Sequence, residues 1–465
     1  MRARLSLLVA ALLSGCATAP HYAVPETPAV PAFKEQGPWV TVGTDLPANA
    51  DWWQMFGDAT LDTLIPKIEA GNPSLAAAVA RYDQAAAQVR RERADLLPNV
   101  NAGADAERAR VSAGRAPTAP GAATYSDRSL GVSLGYELDL FGRIRNSVRQ
   151  ASAGAQASEA DLAATKLALQ TRLASIYFDL RGLDARLVLL RESVAAFQRA
   201  YDLTSTRHDG GIASGLDVSR AATILANARA ELDAVAAARA RDEHAIAILI
   251  GEAPASFSLP VADRLIEAPA VPVGLPSTLL QRRPDLVAAE RRVAAANAGI
   301  GVARAALFPR VTLGGQAGFE TIHGDILSAS NSFWALGPLS AVASIFDGGA
   351  RRANLRIARA QFDESAALYR GAVLDAFREV EDYLATARDL ASQEHNQLDA
   401  VTAAERTRDL AMTRYRDGAS DYLEVVTAQT AALDARRALL ITQAAQLGVA
   451  TDMVRAVGGG YLRAR

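Results

Sequence analysis

Few residues in this sequence stand at the spacings that catalysis would need. The five histidines, His21, His208, His244, His323 and His395, are scattered. They form no His-Glu-x-x-His pair, and the chain has no Gly-x-Ser-x-Gly elbow and no glycine-rich phosphate loop after a strand. The expectation is a non-enzyme with no cofactor and no metal site. Two features remain that could do chemistry. Cys16, the only cysteine, closes "MRARLSLLVAALLSGC", in which two arginines precede an apolar run and a small-residue end, the pattern of a signal peptide. A lone cysteine also excludes an intramolecular disulfide and a Cys-based zinc site. The other feature is a set of carboxylates, Asp417, Asp421 and Glu424, around Gly418. Such acids cap a following helix through its free N–H groups and dipole. Repeated around a symmetry axis, they would instead concentrate cations and repel anions in a narrow mouth.

The chain that must position these residues has 465 residues, half of them hydrophobic and 22% charged, with a formal net charge of −2. Neither the charge nor any Lys/Arg run suits nucleic acid. Abundant alanine and 6% aromatic residues favour closely packed helices. Residues 17 to 50 carry six prolines and predict an extended leader that spaces or wraps. No later apolar run is long enough for a membrane-spanning helix.

Beyond the leader the sequence repeats itself. "LLPNV" at 96–100 answers "LFPRV" at 307–311, and "GIASGLDV" at 211–218 answers "GASDYLEV" at 418–425, at separations of 211 and 207 residues. These mark two copies of one large unit. In each copy an alternating segment runs directly into a helical one. Leu130, Val132, Leu134, Tyr136 and Leu138 alternate with Ser129, Gly131, Ser133, Gly135 and Glu137, and after Phe141-Gly142 the period becomes helical. The same change follows "ASIFDGGARR" at 343–352. From Leu169 to Tyr201 apolar residues recur at 4-3-4-3 spacing, a 3.5-residue period of supercoiled packing. The proline-free run from Arg143 to His208 would be roughly 100 Å long as one helix. Gly210-Gly211 and Gly418 then provide turns, and proline-free segments return.

Each copy thus supplies two strands and a long helical hairpin. Four strands cannot close a membrane barrel, and open edges are not tolerated in lipid. Three copies would contribute about 12 strands and satisfy every edge.

Several segments together resemble one family, the TolC-like outer-membrane factors, or outer membrane efflux proteins, and within it the lipidated OprM/NodT branch. They are the lipobox-like Leu13-Ser14-Gly15-Cys16, "DWWQMFGDATLDTLI" at 51–65, "LLPNV", "YELDLFGRIR" at 136–145, the stretch 279–311, "IFDGGARRANL" at 345–355 and "RYRDGASDYLEVVTAQTAAL" at 414–433. The resemblance implies a mostly α fold with a membrane β-barrel: a duplicated unit of coiled-coil-like hairpins plus four strands per chain, trimerised into a 12-stranded outer-membrane barrel continued by a periplasmic α-helical barrel. It implies diacylglyceryl and N-acyl lipid on Cys16, with Ala17 directing the protein to the outer membrane. Expected partners are two further copies of the chain, a periplasmic adaptor, an inner-membrane efflux pump and outer-membrane lipid. Expected function is passive export of small molecules such as drugs or toxic compounds. Polypeptide secretion and a non-channel helical envelope lipoprotein stay open as alternatives.

The implied division is a signal peptide 1–15, a lipidated leader 16–50, a first repeat 51–251, a linker 252–276, a second repeat 277–457 and a tail 458–465. Strands fall at about 99–110, 129–141, 310–323 and 333–346, with helical hairpins at about 143–251 and 348–457. By alignment through the Leu-Asp-Val and Leu-Glu-Val copies, Tyr415 and Glu424 match the family's second-hairpin gate tyrosine and constriction acid, and Asp217 the first-hairpin acid. Thr427 stands where some members carry a second acid, and Ser420 where one branch has a gate arginine. Gly210, Gly211 and Gly418 would present the tips to the adaptor.

Overall fold

The computed structural model describes residues 19–28, 30–35, 40–41, 51–110, 112, 124–262, 265–273, 282–322 and 324–460. Cys16, the signal segment, His323 and the end of the tail lie outside them. In chain order the elements are β1 (Val40–Thr41), helices α1 (Ala59–Leu64), α2 (Lys67–Gly71) and α3 (Pro73–Ala94), β2 (Asn99–Arg110), β3 (Thr124–Leu138), α4 (Arg143–Asp209), α5 (Gly215–Leu249), β4 (Pro272–Val273), α6 (Pro284–Ala305), β5 (Arg310–Thr321), β6 (Ser332–Val342), α7 (Ala350–Arg416) and α8 (Tyr422–Ala456). The chain divides into two compact units.

One unit takes the described residues within Met1–Glu26, Arg81–Glu159 and Ala288–Arg370. Its centre is an antiparallel sheet in the order β2-β3-β5-β6. The register places Leu130, Val132 and Leu134 opposite Ala104, Ala102 and Val100 on one side and Phe319, Ala317 and Gly315 on the other. Trp334 then pairs with Ala317, and Leu336 with Gly315. Because side chains alternate across a strand, one face is continuously apolar and the other carries Ser129, Ser133, Glu137, Gln316 and Thr312. The apolar face is uncovered, with Trp334 81% and Leu336 76% exposed. Where alternation fails near Pro338, two residues of β6 (Gly337 and Pro338) face one of β5 (Gly314) between the pairs Leu313↔Leu339 and Gly315↔Leu336. This is a bulge, and it accommodates a proline that has no N–H for the ladder.

Three strand limits differ from the alternation by more than two residues. β3 begins at Thr124, five residues early, because Tyr125 to Arg128 pair with Ala109 to Ala106 through backbone alone. It ends at Leu138, not Phe141, because Asp139 turns to cap α4. The Asp139 carboxylate accepts from Ile144 N at 3.1 Å and Arg145 N at 2.8 Å. β6 ends at Val342 instead of Phe346. The following backbone serves the helix junction, where Arg351 donates to Ser344 O at 2.8 Å and to the Asp347 carboxylate at 2.9 Å. Both strand-to-helix passages therefore use an aspartate cap reinforced by an arginine in the first turn of the helix. The described leader residues of this unit, 19–26, carry no helix or strand. Pro20 O accepts from Asn297 at 3.0 Å, and the Tyr22 hydroxyl bonds the Glu290 carboxylate.

The other unit takes the described residues within Thr27–Ala80, Ala160–Val287 and Gly371–Arg465. Its main core contains Trp52, Trp53 and Phe56 from the "DWWQMF" turn, Leu61 and Ile65 from α1 and its exit, Ile68 from α2, and Leu173, Tyr177, Phe178 and Leu180 from α4. The 3.5-residue stripe is what α4 buries: Leu173, Leu180, Leu187, Leu190 and Phe197 are each at most 5% exposed. A charged network clamps the segment after α5 onto the helices. Asp184, with no exposed surface, pairs with Arg181 at 2.8 Å and Arg239 at 2.7 Å. The two arginines donate to Pro260 O and Leu259 O. A short parallel pair, β1 with β4, joins the leader to the linker. Two residues per strand are too few for any alternation to announce them.

Candidate functional site

The residues singled out for gating lie at the hairpin turns of the second unit. The first turn leaves α4 through Gly211 at φ 77° and the second leaves α7 through Gly418 at φ 73°, a conformation that favours glycine at both places. In each, the next N–H reaches back five residues, Ile212 N to Arg207 O and Ala419 N to Arg414 O, both at 2.8 Å. These are Schellman closures, which satisfy the last carbonyls of a helix. His208 Nδ1–H donates to Ala213 O at 2.9 Å, so this histidine braces the first turn.

The returning helices start differently. Ser214 caps α5 in a reciprocal box: its Oγ accepts from Asp217 N at 3.2 Å, while the Asp217 carboxylate accepts from Ser214 N at 3.3 Å and from Ser214 Oγ at 2.8 Å. Asp217 also stands 3.8 Å from Arg220. Asp421 caps α8 by accepting from Glu424 N at 3.1 Å. Glu424 does not turn back to the cap; it pairs with Arg414 across the turn at 3.0 Å. Asp417 is exposed, and its N–H donates to Thr413 O at 3.0 Å. Of the three second-turn carboxylates, two thus have structural partners within the hairpin. Among the described residues no three His, Cys, Asp or Glu side chains approach closely enough to hold a metal ion.

Tyr415 is placed inside the tip, 5% exposed, and packs with Tyr422, Ala200, Ala221 and Val425. Its ring lies 5.5 Å from that of Tyr422. The Arg207 guanidinium sits 4.4 Å over the same ring. Arg207 also donates to Tyr415 O at 3.0 Å and Arg416 O at 3.2 Å. A cation at these carbonyls complements the negative end of α7, so one residue of the first hairpin holds both the ring and the helix terminus of the second. Burial, and secondarily the neighbouring Tyr415, pushes the Tyr422 hydroxyl up to about 12.

Arg207 and Tyr422 are the tip residues that sequence reasoning missed. The available signal was an arginine in the last turn of a long helix, one turn before a glycine pair. Its partners lie more than two hundred positions away, beyond the reach of local pattern.

The chain matches the model of a family described as outer membrane efflux protein over residues 64–252 and 275–459. It is 36% identical over 467 residues to the antibiotic efflux pump outer membrane protein ArpC of Pseudomonas putida, covering 98% of this chain and 95% of the relative. It is equally similar, over the same shares, to the toluene efflux pump outer membrane protein TtgC of Pseudomonas putida. Among solved structures, the outer-membrane channel OprN superposes with a TM-score of 0.88 at 32% identity, over 96% of this chain and 99% of that one.

Proposed function

The chain belongs to the outer membrane efflux protein family, and from that premise we propose that it works as a trimeric outer-membrane channel of a tripartite efflux system, exporting small molecules of the drug and organic-solvent class. Its place is the outer membrane, as for its relatives. The observation that carries the proposal is the four-stranded sheet with one uncovered apolar face, one polar face and free edges at β2 and β6. Such a sheet is stable in lipid only when further strands close it, with the apolar face outward and the polar face lining water. Three copies supply about 12 strands. Ser133 and Glu137 then line the lumen, and Leu134, Tyr136 and Leu138 face lipid.

In this reading the hairpin tips form the resting gate. Tyr415 closes it from within by holding the two hairpins together through Arg207, and Glu424 closes it through Arg414. Asp217 and Asp421 set the helix starts, and Asp417 is the carboxylate free to meet passing cations. The turns at Gly210, Gly211 and Gly418 receive a periplasmic adaptor, and an inner-membrane pump supplies the energy. Cys16 carries diacylglyceryl and N-acyl lipid, which assists the barrel as anchor. The chain itself catalyses nothing. Small-molecule export is favoured over polypeptide secretion because the relatives named above serve antibiotic and toluene efflux.

Purified trimers added to a planar bilayer should give discrete, cation-preferring conductance, larger when Tyr415 or Arg207 is replaced. An absence of channels in both the wild type and those variants overturns the proposal. The mass of the N-terminal peptide tests the lipid on Cys16, and a Cys16→Ala chain carried by a different signal peptide should still assemble into trimers.

A further inference from the structure

The helical unit contains a cleft of about 470 Å³ between the segment 266–271 and helices α7 and α8. Its floor is apolar and continuous with the main core: Val271, Ala450 and Met453 are each at most 7% exposed. Ile266, Leu398 and Val449 extend it outward. The volume is that of a drug-sized ligand site, and such sites set a few polar groups into an apolar wall.

Here that polar group is the Glu394 carboxylate. Gln443 Nε2 donates to one of its oxygens at 2.9 Å and Gln446 Nε2 to the other at 2.8 Å. The two amides fix the carboxylate in one orientation without neutralising it. No arginine or lysine among the described residues pairs with Glu394, nor with Glu267 at the rim. Elsewhere in this unit three buried or half-buried acids do have cations: Asp184 has two arginines, Glu379 has Arg283, and Glu231 has Arg437. A preorganised, uncompensated negative charge beside an apolar floor is complementary to one kind of occupant, a bulky hydrophobic cation.

We propose that this cleft is a binding site for lipophilic monocations, with Glu394 as the charge partner and the Val271–Met453 floor as the apolar contact. The site is independent of the tips, and it does not require that its ligands pass through the channel.

The test is equilibrium binding to the full trimer in lipid nanodiscs, using two ions of the same shape and opposite charge, tetraphenylphosphonium and tetraphenylborate. Tetraphenylphosphonium should bind saturably, one per chain, and tetraphenylborate should show only lipid partitioning. Glu394→Gln should weaken the cation about five- to tenfold, the order of one half-exposed charge pair. Ala391→Arg places a guanidinium one turn before Glu394 and should abolish binding while leaving a helix-favouring residue in α7. Equal binding of the two ions, or cation binding unchanged in both variants, overturns the proposal. So does dissociation of the trimer by Glu394→Gln without any cation binding in the wild type, which would make a second copy of the chain the occupant.

Discussion

The two hairpin turns are built on one plan and finished in different ways. Both close through a Schellman pair at a left-handed glycine, and both restart with a polar cap three residues before an acid. In the first turn that acid, Asp217, is spent on its own cap, and the box is satisfied within four residues. In the second the acid, Glu424, is released from the cap and spent on Arg414. The second tip is also held from outside, by Arg207 of the first hairpin. Local closure makes the first tip self-sufficient, whereas the second depends on side-chain contacts that substitution, pH or salt can remove. If the tips gate the channel as proposed, the first tip is the stable part and the second the releasable one.

The contrast breaks most severely at Tyr415. Tyr415→Ala removes a buried ring and leaves Arg207 without its partner, at a cost of about 3–5 kcal/mol to the tip. Amide exchange should accelerate across 410–430 far more than across 205–225, and single-channel conductance should rise. Arg207→Ala should act in the same direction, and Arg207→Lys should recover the charge but not the two-carbonyl reach. Equal acceleration of both turns would show that the tips are one cooperative body.

Alkali tests the same asymmetry through Tyr422. Its hydroxyl ionises at about 12 in the folded tip because burial disfavours the charged form, against about 10 when exposed. The folded state therefore binds this proton more tightly. The stabilisation is complete below pH 10 and is lost as pH rises from about 10 through 12, by up to tenfold in opening equilibrium per pH unit. Exchange at the second turn should increase over that window in the wild type and not in Tyr422→Phe, with the first turn unaffected.

A smaller effect separates capping from field at Asp421. Asp421→Ala should cost α8 about 1 kcal/mol, and Ser214→Ala a similar amount at α5. Asp421→Asn keeps a good cap and removes the charge. Its thermal stability should stay close to wild type, and a large loss of cation preference in its conductance would assign the residue to the constriction as well as to the helix.

How much of this was legible follows from the range of the interactions. The supercoiled stripe on α4 is written in the order of Leu173, Leu180, Leu187 and Phe197, because burial on one helix face repeats every 3.5 residues. The aspartate before Tyr-Leu-Glu announces the start of α8 for the same local reason. Strand ends were less legible: Tyr125 to Arg128 pair through backbone with no apolar signal, and Asp139 is claimed by the helix that follows. Tyr415 could be picked out only by likeness to a family, and that likeness did not reveal its burial. What surrounds it, Arg207 and Tyr422, is joined by the fold across two repeats, and no local period encodes such a pairing.

The smallest expected effect concerns Glu424, and it decides whether charge or packing releases the second tip. The Arg414 and Glu424 side chains are 57% and 41% exposed, so their pair contributes under about 1 kcal/mol and is screened by salt. Glu424→Gln should therefore speed exchange at 414–424 only slightly at about 0.05 M salt, and the difference from wild type should vanish near 0.5 M. The Tyr415→Ala effect, resting on buried contacts, should persist across that range. If the two variants showed the same salt dependence, the tip would be held mainly by charge, and Arg207 would act through its guanidinium field more than through the ring it covers. If only Glu424→Gln responded to salt, the releasable element would be the Arg207–Tyr415 clamp, with the ion pair biasing a closure that packing already determines.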